Sequence, residues 1–280
     1  MNRQYVGKDQ KYSISKLCKT HKVSGSAYYK DRTKQKQRES VIEKVLALIR
    51  KIRKLMPKGG IKKIYEKCKE EFRALKVGRD KLFDIARKYR LLKKRKFRVI
   101  TTTDSSHGFK VYQNLVKGTE VTSSNQVLVS DITYLRLKES YCYLALVTDV
   151  YSRKIIGYNL SSSLAVEGSL KALKMGLSRI KHTKGLIHHS DRGIQYSSKL
   201  YTDYLKKQKM RISMSAKGNP YENAIAERIN GILKDEFYLN VRFRSFKQAL
   251  KAVKQSIEIY NSERLHWSLG LKTPDQVYAV

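Results

Sequence analysis

Residues 126–150 read QVLVSDITYLRLKESYCYLALVTDV, and residues 185–193 read GLIHHSDRG. The first stretch holds two β-branched and aromatic runs, 127–137 and 141–150, separated by Lys138-Glu139-Ser140, which predicts two neighbouring strands. After the turn at Tyr151-Ser152-Arg153, residues 154–160 predict a third strand. Residues 165–180 then read as a helix, 185–189 as a short buried strand, 198–207 as a helix and 211–214 as a strand. A long helix is expected over 220–238, with Asn219 as its cap and Pro220 at its first position. Another is expected over 246–260. Three strands followed by alternating helices and strands describe an α/β layer built on a mixed sheet, here assigned to residues 125–280.

The chain changes character upstream of that block. Residues 39–56 place Val41, Ile42, Val45, Leu48, Ile49 and Ile52 at helical spacing, and Pro57 ends the pattern. Gly59-Gly60 opens a second amphipathic helix over 61–72. A third, over 79–91, turns Leu82, Phe83, Ile85, Ala86 and Tyr89 inward. These helices with basic outer faces predict a three-helix DNA-binding domain over 39–98, ending in the run Lys93, Lys94, Arg95, Lys96 and Arg98. Residues 1–38 contain two short helical patterns around Ser24-Gly25. They fit a helix-turn-helix-like segment, and equally a small helical hairpin that touches no DNA. Residues 99–124, rich in Thr, Ser, Gly and Lys, read as a linker.

Charge points to the same partner. The formal net charge is +36, and residues 1–110 hold 34 Lys and Arg against 10 Asp and Glu. Self-repulsion on this scale calls for a polyanion, and phosphate neutralisation with counterion release makes nucleic acid the natural one. A basic ribosome-associated protein is the competing reading of charge alone. Three scattered cysteines with no CxxC fit a reducing, cytoplasmic setting. No signal-peptide pattern and no apolar run of membrane-spanning length is visible, so no membrane partner is expected. No P-loop is present, which argues against ATP hydrolysis.

Three carboxylates stand in unusual places. Asp131 interrupts an apolar strand, where a lone carboxylate is costly unless paired or metal-bound. Asp191 follows a short strand, at the end of an open α/β sheet where ligands bind. Glu227 sits in a helix after small residues, in NAIAER. Each also has an ordinary reading: a hydrogen-bonded structural Asp, a turn former, and an exposed helix residue paired with Arg228 or Lys234. Acidic side chains that hold two divalent ions are what phosphoryl transfer on DNA requires, and hard oxygen donors suit Mg²⁺. Asp191 and Glu227 have 35 residues between them.

In order, VSDITYL, HHSDRGIQY, SAKGNPYENAIAERINGILKDEF and YNSERLHWSLGLKTP resemble the DDE integrase core of insertion-sequence transposases of the IS3 family, over roughly residues 120–280. Residues 39–95 also resemble the helix-turn-helix segment that precedes that core. The resemblance implies an RNase H-like fold with a mixed five-stranded sheet, preceded by small all-α helix-turn-helix-like segments. It implies Asp131, Asp191 and Glu227 as catalytic metal ligands, with Asp131 shared between two Mg²⁺ ions and Mn²⁺ able to substitute. The chemistry implied is cleavage at insertion-element ends to free a 3′-OH, followed by strand transfer through direct transesterification. Lys234 would contact the DNA end, seven residues after Glu227 and on the same helical face. Arg192, Lys217, Arg264 and His266 are further expected nucleic-acid contacts. The expected partners are double-stranded DNA (terminal inverted repeats and target), further copies of the chain, and an upstream-frame helix-turn-helix protein, joined or separate, in a prokaryotic nucleoid-associated setting. Leu128 stands where many relatives carry Trp, and no HHCC zinc arrangement or leucine-zipper heptad is evident, so the chain reads as the downstream reading-frame product.

Other chemistries fit less well. Adjacent His188 and His189 beside Asp191 do not converge as a Ser-His-Asp triad needs, and they read better as packed histidines. His266-Trp267 reads either as a DNA contact or as a cap on the core. Tyr260 lacks the Arg and His set of a tyrosine recombinase. A nuclease that cleaves without joining, and a DNA-binding regulator without catalysis, are the two rival functions.

Overall fold

The computed structural model describes residues 13–93, 108–216 and 223–278. Lys217, Asn219 and Pro220 therefore lie outside the described residues, as does most of the basic run after Lys93. The chain opens with five helices: α1 (Ile14–Thr20), α2 (Gly25–Leu55), α3 (Ile61–Lys67), α4 (Lys69–Ala74) and α5 (Arg79–Lys88). Ser13 and Ser24 cap the first two, their hydroxyls accepting from the amides of Lys16 and Ala27. The helices expected to start near 26 and 39 are one 31-residue helix that runs through the expected boundary at 38/39. Residues 29–40 contain no Gly or Pro to stop it, and Lys, Arg and Gln propagate a helix well. The helix expected over 61–72 breaks instead at Cys68.

The sheet follows: β1 (Val127–Leu137), β2 (Tyr141–Asp149), β3 (Ile155–Ser161), β4 (Ile187–Ser190), β5 (Arg211–Met214) and β6 (Arg242–Phe243). Its order is β3-β2-β1-β4-β5, with β6 joined to the far end of β1. β1, β2 and β3 are antiparallel, and β1, β4 and β5 are parallel. This is the RNase H-like architecture, with the expected five strands plus a short sixth. Alternation along the strands sends side chains to opposite faces. Leu128, Ala145 and Val147 pack under α6 (Val166–Leu177), the single turn α7 (Ile194–Ser197) and α8 (Lys199–Lys207). Leu135, Leu144 and Leu146 pack under α9 (Ala224–Glu236) and α10 (Phe246–Glu263). The N-terminal helices share that second core: Val45, Ile49, Ile64, Phe72 and Leu82 are continuous with Ile229, Leu233, Val253 and Tyr260.

One contact tolerates no side chain. A Cβ on Gly157 of β3 would lie 2.2 Å from the Ala172 carbonyl oxygen and 2.6 Å from the Gly176 nitrogen, both on α6 backbone. Gly157→Ala must push α6 off the sheet, and overpacking of this kind costs about 1–3 kcal/mol or more. The expected result is a lower urea midpoint with an unchanged slope; an unchanged midpoint would show that α6 is not seated on this glycine.

No helix of the described residues is long and apolar enough to cross a membrane.

Candidate active site

Two aspartates meet because two parallel strands are in register. Ser130 of β1 pairs with Ser190 of β4, and that pair is the last between them. The next residue on each strand is an aspartate, Asp131 and Asp191. Beyond this point β1 continues against β2 alone until β6 joins at Arg136 and Leu137. Asp131 thus sits at an opening along the sheet, and α9 packs against this part of β1. The Asp191 loop is tight: the Gly193 amide donates to Asp191 Oδ1 at 3.0 Å. A Cβ on Gly193 would stand 3.1 Å from that oxygen, which explains the glycine of the DRG sequence.

Helix α9 supplies the rest. Glu227, Asn230 and Lys234 recur at three- and four-residue spacing and share a face. Asn230 Nδ2 donates to Asp131 Oδ2 at 2.7 Å, and the Ile132 amide donates to Asp131 Oδ1 at 2.9 Å. The Asn230 amide oxygen is buried without a protein partner. Burial, with Asp191 and then Glu227 nearby, pushes the Asp131 carboxyl up to about 7, and the two hydrogen bonds offset this only in part. Glu227 is on the exposed flank of α9, its carboxyl raised by burial and by Asp191. Lys234 is half-buried; burial lowers its ammonium pKa, while the Asp131 charge opposes that shift.

The floor of the site is polar and packed. His188 Nε2 lies 2.9 Å from both Ser130 Oγ and Tyr201 Oη, and burial pushes its imidazole down to about 3, so it is neutral. His189 Nδ1 lies 2.8 Å from Ser213 Oγ. Arg192 Nε donates to the Ser215 carbonyl at 2.7 Å, tying the exit of β4 to the exit of β5. Both histidines are buried supports, as the sequence favoured.

Arg264 and His266, expected at the DNA, are instead inside the protein, 2% and 7% exposed. Arg264 donates to both carboxylate oxygens of Glu236 at 2.9 Å, and its third nitrogen lies 2.8 Å from His266 Nε2. With all three nitrogens engaged and the group shut off from solvent, this guanidinium is out of reach of a phosphate, and burial and Arg264 push His266 down to about 3. This is the core-cap reading of the LHWSLG stretch. Asn230 is the site residue that sequence reading missed. Its signal was an Asn, a poor helix former, in mid-helix one turn after Glu227.

Asp131, Asp191 and Glu227 suit a divalent cation by chemistry. They are hard oxygen donors; burial first, and then the neighbouring carboxylate charges, raise the pKa of Asp131 and Glu227, and a cation would offset both. As they stand, no three His, Cys, Asp or Glu side chains among the described residues form a group that could hold a metal ion.

Two family profiles, each described as an integrase core domain, match residues 121–220 and 208–274. An insertion element IS600 uncharacterized 31 kDa protein of Shigella sonnei is 36% identical over 267 residues, spanning 92% of this chain and 96% of that protein. Transposase InsF for insertion sequence IS3A of Escherichia coli is 39% identical over 173 residues, 61% of this chain and 60% of the transposase's length. Among solved structures, the HTLV-2 integrase catalytic core domain in complex with magnesium aligns with 56% of this chain and 97% of its own, at 18% identity and TM-score 0.45. A chain of the simian T-cell lymphotropic virus intasome aligns with 74% of this chain and 70% of its own, at 16% identity and TM-score 0.49.

Proposed function

The chain belongs to the IS3 family of insertion-sequence transposases, and from that premise we propose that it cuts element ends to free a 3′-OH and joins that end to DNA by direct transesterification. DNA transposition is its activity class. The observation that carries the finer reading is the register of β1 and β4, which sets Asp131 beside Asp191 under a helix bearing Glu227. Mg²⁺, or Mn²⁺ in its place, held by these three carboxylates would supply charge stabilisation to the attacking and leaving oxygens of an in-line displacement.

The chain's own residues prepare that step. Asn230 fixes the Asp131 carboxylate, and Lys234 offers a positive charge for a phosphate on the same face of α9. Helices α2 to α5 form a basic DNA-binding module that holds the terminal inverted repeats. Two ends must be held together, so the working form is a multimer on DNA, with an upstream-frame helix-turn-helix partner as a further component.

The test is strand transfer with a pre-cut labelled end and Mg²⁺ or Mn²⁺. A protein that cleaves but never joins would be the nuclease instead. Asn230 gives a finer check. Asn230→Leu keeps the size but frees Asp131, and losing an outer partner of a ligand typically costs about 10–100-fold. The joining rate should fall by that factor and the metal needed for half-maximal rate should rise, with DNA binding unchanged. Unaltered metal dependence would remove Asn230 from the site.

A further inference from the structure

The hairpin of β1 and β2 extends beyond the carboxylates and carries an aromatic face there. Tyr134 pairs directly with Tyr143, and Arg136 with Tyr141, so all four side chains project from one side. The Tyr134 ring meets Tyr143 edge-on at 5.2 Å and Tyr141 edge-on at 6.5 Å. The cluster is open to solvent: Tyr141 is 52% exposed, and Tyr134 and Tyr143 are half-buried. The cluster borders the Asp191 turn: Tyr143 and Leu164 line one shallow pocket, and the Leu164 carbonyl accepts from Gln195 Nε2, four residues after Asp191. Asp131, at the alternate position of β1, faces the other side of the sheet.

Rings held by each other and flanked by a guanidinium have the features of a base-stacking platform, where aromatic faces take any base and a cation meets the backbone. The large positive charge of the chain draws DNA to the surface, and strand ends are where bases become unpaired.

The geometry points to Tyr134, Tyr141 and Tyr143 as a stacking site for an unpaired nucleobase of the DNA end, with Arg136 on its backbone. This rests on the transposase reading and adds to it a site that recognises frayed ends in preference to paired ones.

The experiment compares binding of the full chain to two duplexes carrying the element's terminal repeat. One is blunt, and the other has a three-nucleotide single-stranded tail carrying 2-aminopurine. Stacking on one aromatic ring is worth about ten-fold in affinity. The tailed duplex should therefore bind about ten-fold tighter, with 2-aminopurine quenched. Tyr141→Ala and Tyr143→Ala should lose the preference and the quenching while keeping blunt-duplex binding, and Tyr141→Phe should keep both. Tyr141 is exposed, so its alanine variant leaves the core intact. Equal binding of the two duplexes, or a preference that survives both alanine variants, overturns the proposal and leaves the transposase reading standing. A change in self-association with the preference unaltered would make the face a contact between copies, which also overturns it. Failure to bind either duplex would overturn both readings.

Discussion

Asp131→Asn is expected to abolish joining and at the same time to make the metal-free protein more stable. Loss of a carboxylate that holds a catalytic cation removes several kcal/mol of transition-state stabilisation, at least about 10³-fold in rate. Asp191→Asn and Glu227→Gln should fail equally. The stability effect has the opposite sign because Asp131 resists ionisation until about pH 7, against 3.8 for an ordinary aspartate. An unfolded chain ionises this group readily and the folded one does not. The aspartate therefore costs stability progressively as pH rises from about 4 to 7, and the asparagine variant escapes that cost. A pKa unit is worth about 1.4 kcal/mol, so a gain of up to about 4 kcal/mol at pH 7.5 is expected, vanishing towards pH 4. Mg²⁺ or Mn²⁺ should raise the melting temperature of the parent and leave the variant unmoved. Joining by Asp131→Asn, or a parent melt indifferent to both ions, would refute the metal-site assignment.

Glu236→Ala should unfold much of the protein near physiological temperature. Glu236 closes α9 and accepts both arms of Arg264, with Lys63 of α3 also paired to it at 3.4 Å. Removing one partner of a buried pair costs about 3–5 kcal/mol, because the remaining charge is stranded. That is a large part of the roughly 5–15 kcal/mol that holds a domain together. Burial alone would raise the Glu236 carboxyl, but Arg264 and then Lys63 hold it below its ordinary 4.5. The pair's contribution is thus complete above about pH 4.5 and is lost as pH falls through the lowered value. His266, held neutral, adds acid sensitivity from about pH 6.5 towards 3. Urea melts should show the alanine variant's deficit at pH 7 shrinking in acid. Replacing both partners, as Glu236→Leu with Arg264→Met, should restore most of the loss; if it does not, the ion pair is not the source of the stability.

Much of this was legible in the sequence where chemistry and periodicity coincide. The β-branched runs gave β1 to β3 nearly to the residue, because strands covered by helices on both faces are near-continuous apolar, β-branched runs. Asp131 and Asp191 were visible because a carboxylate in an apolar strand, or just past one, is costly to bury unless something binds it. Arg264 and His266 were misjudged because a basic residue after a helix looks the same whether it faces water or Glu236, 28 positions away in the chain. Asn230 was missed for the same reason: its partner lies 99 residues earlier and is set by the packing of α9 on β1, not by local pattern. The single long α2 was split because its middle carries no apolar stripe, although nothing in it breaks a helix.

The apolar core shared by α2 to α5 with α9 and α10 has a consequence for retargeting. If these helices read DNA as proposed, they cannot be exchanged like a detachable head. A graft from a relative that alters Ile49, Ile64 or Phe72 would also disturb the seat of Ile229 and Leu233, on the helix that carries Glu227. On the proposed function, end preference and reactivity are therefore inherited together, and changes in end preference in this lineage should be accompanied by compensating changes on the buried side of α9.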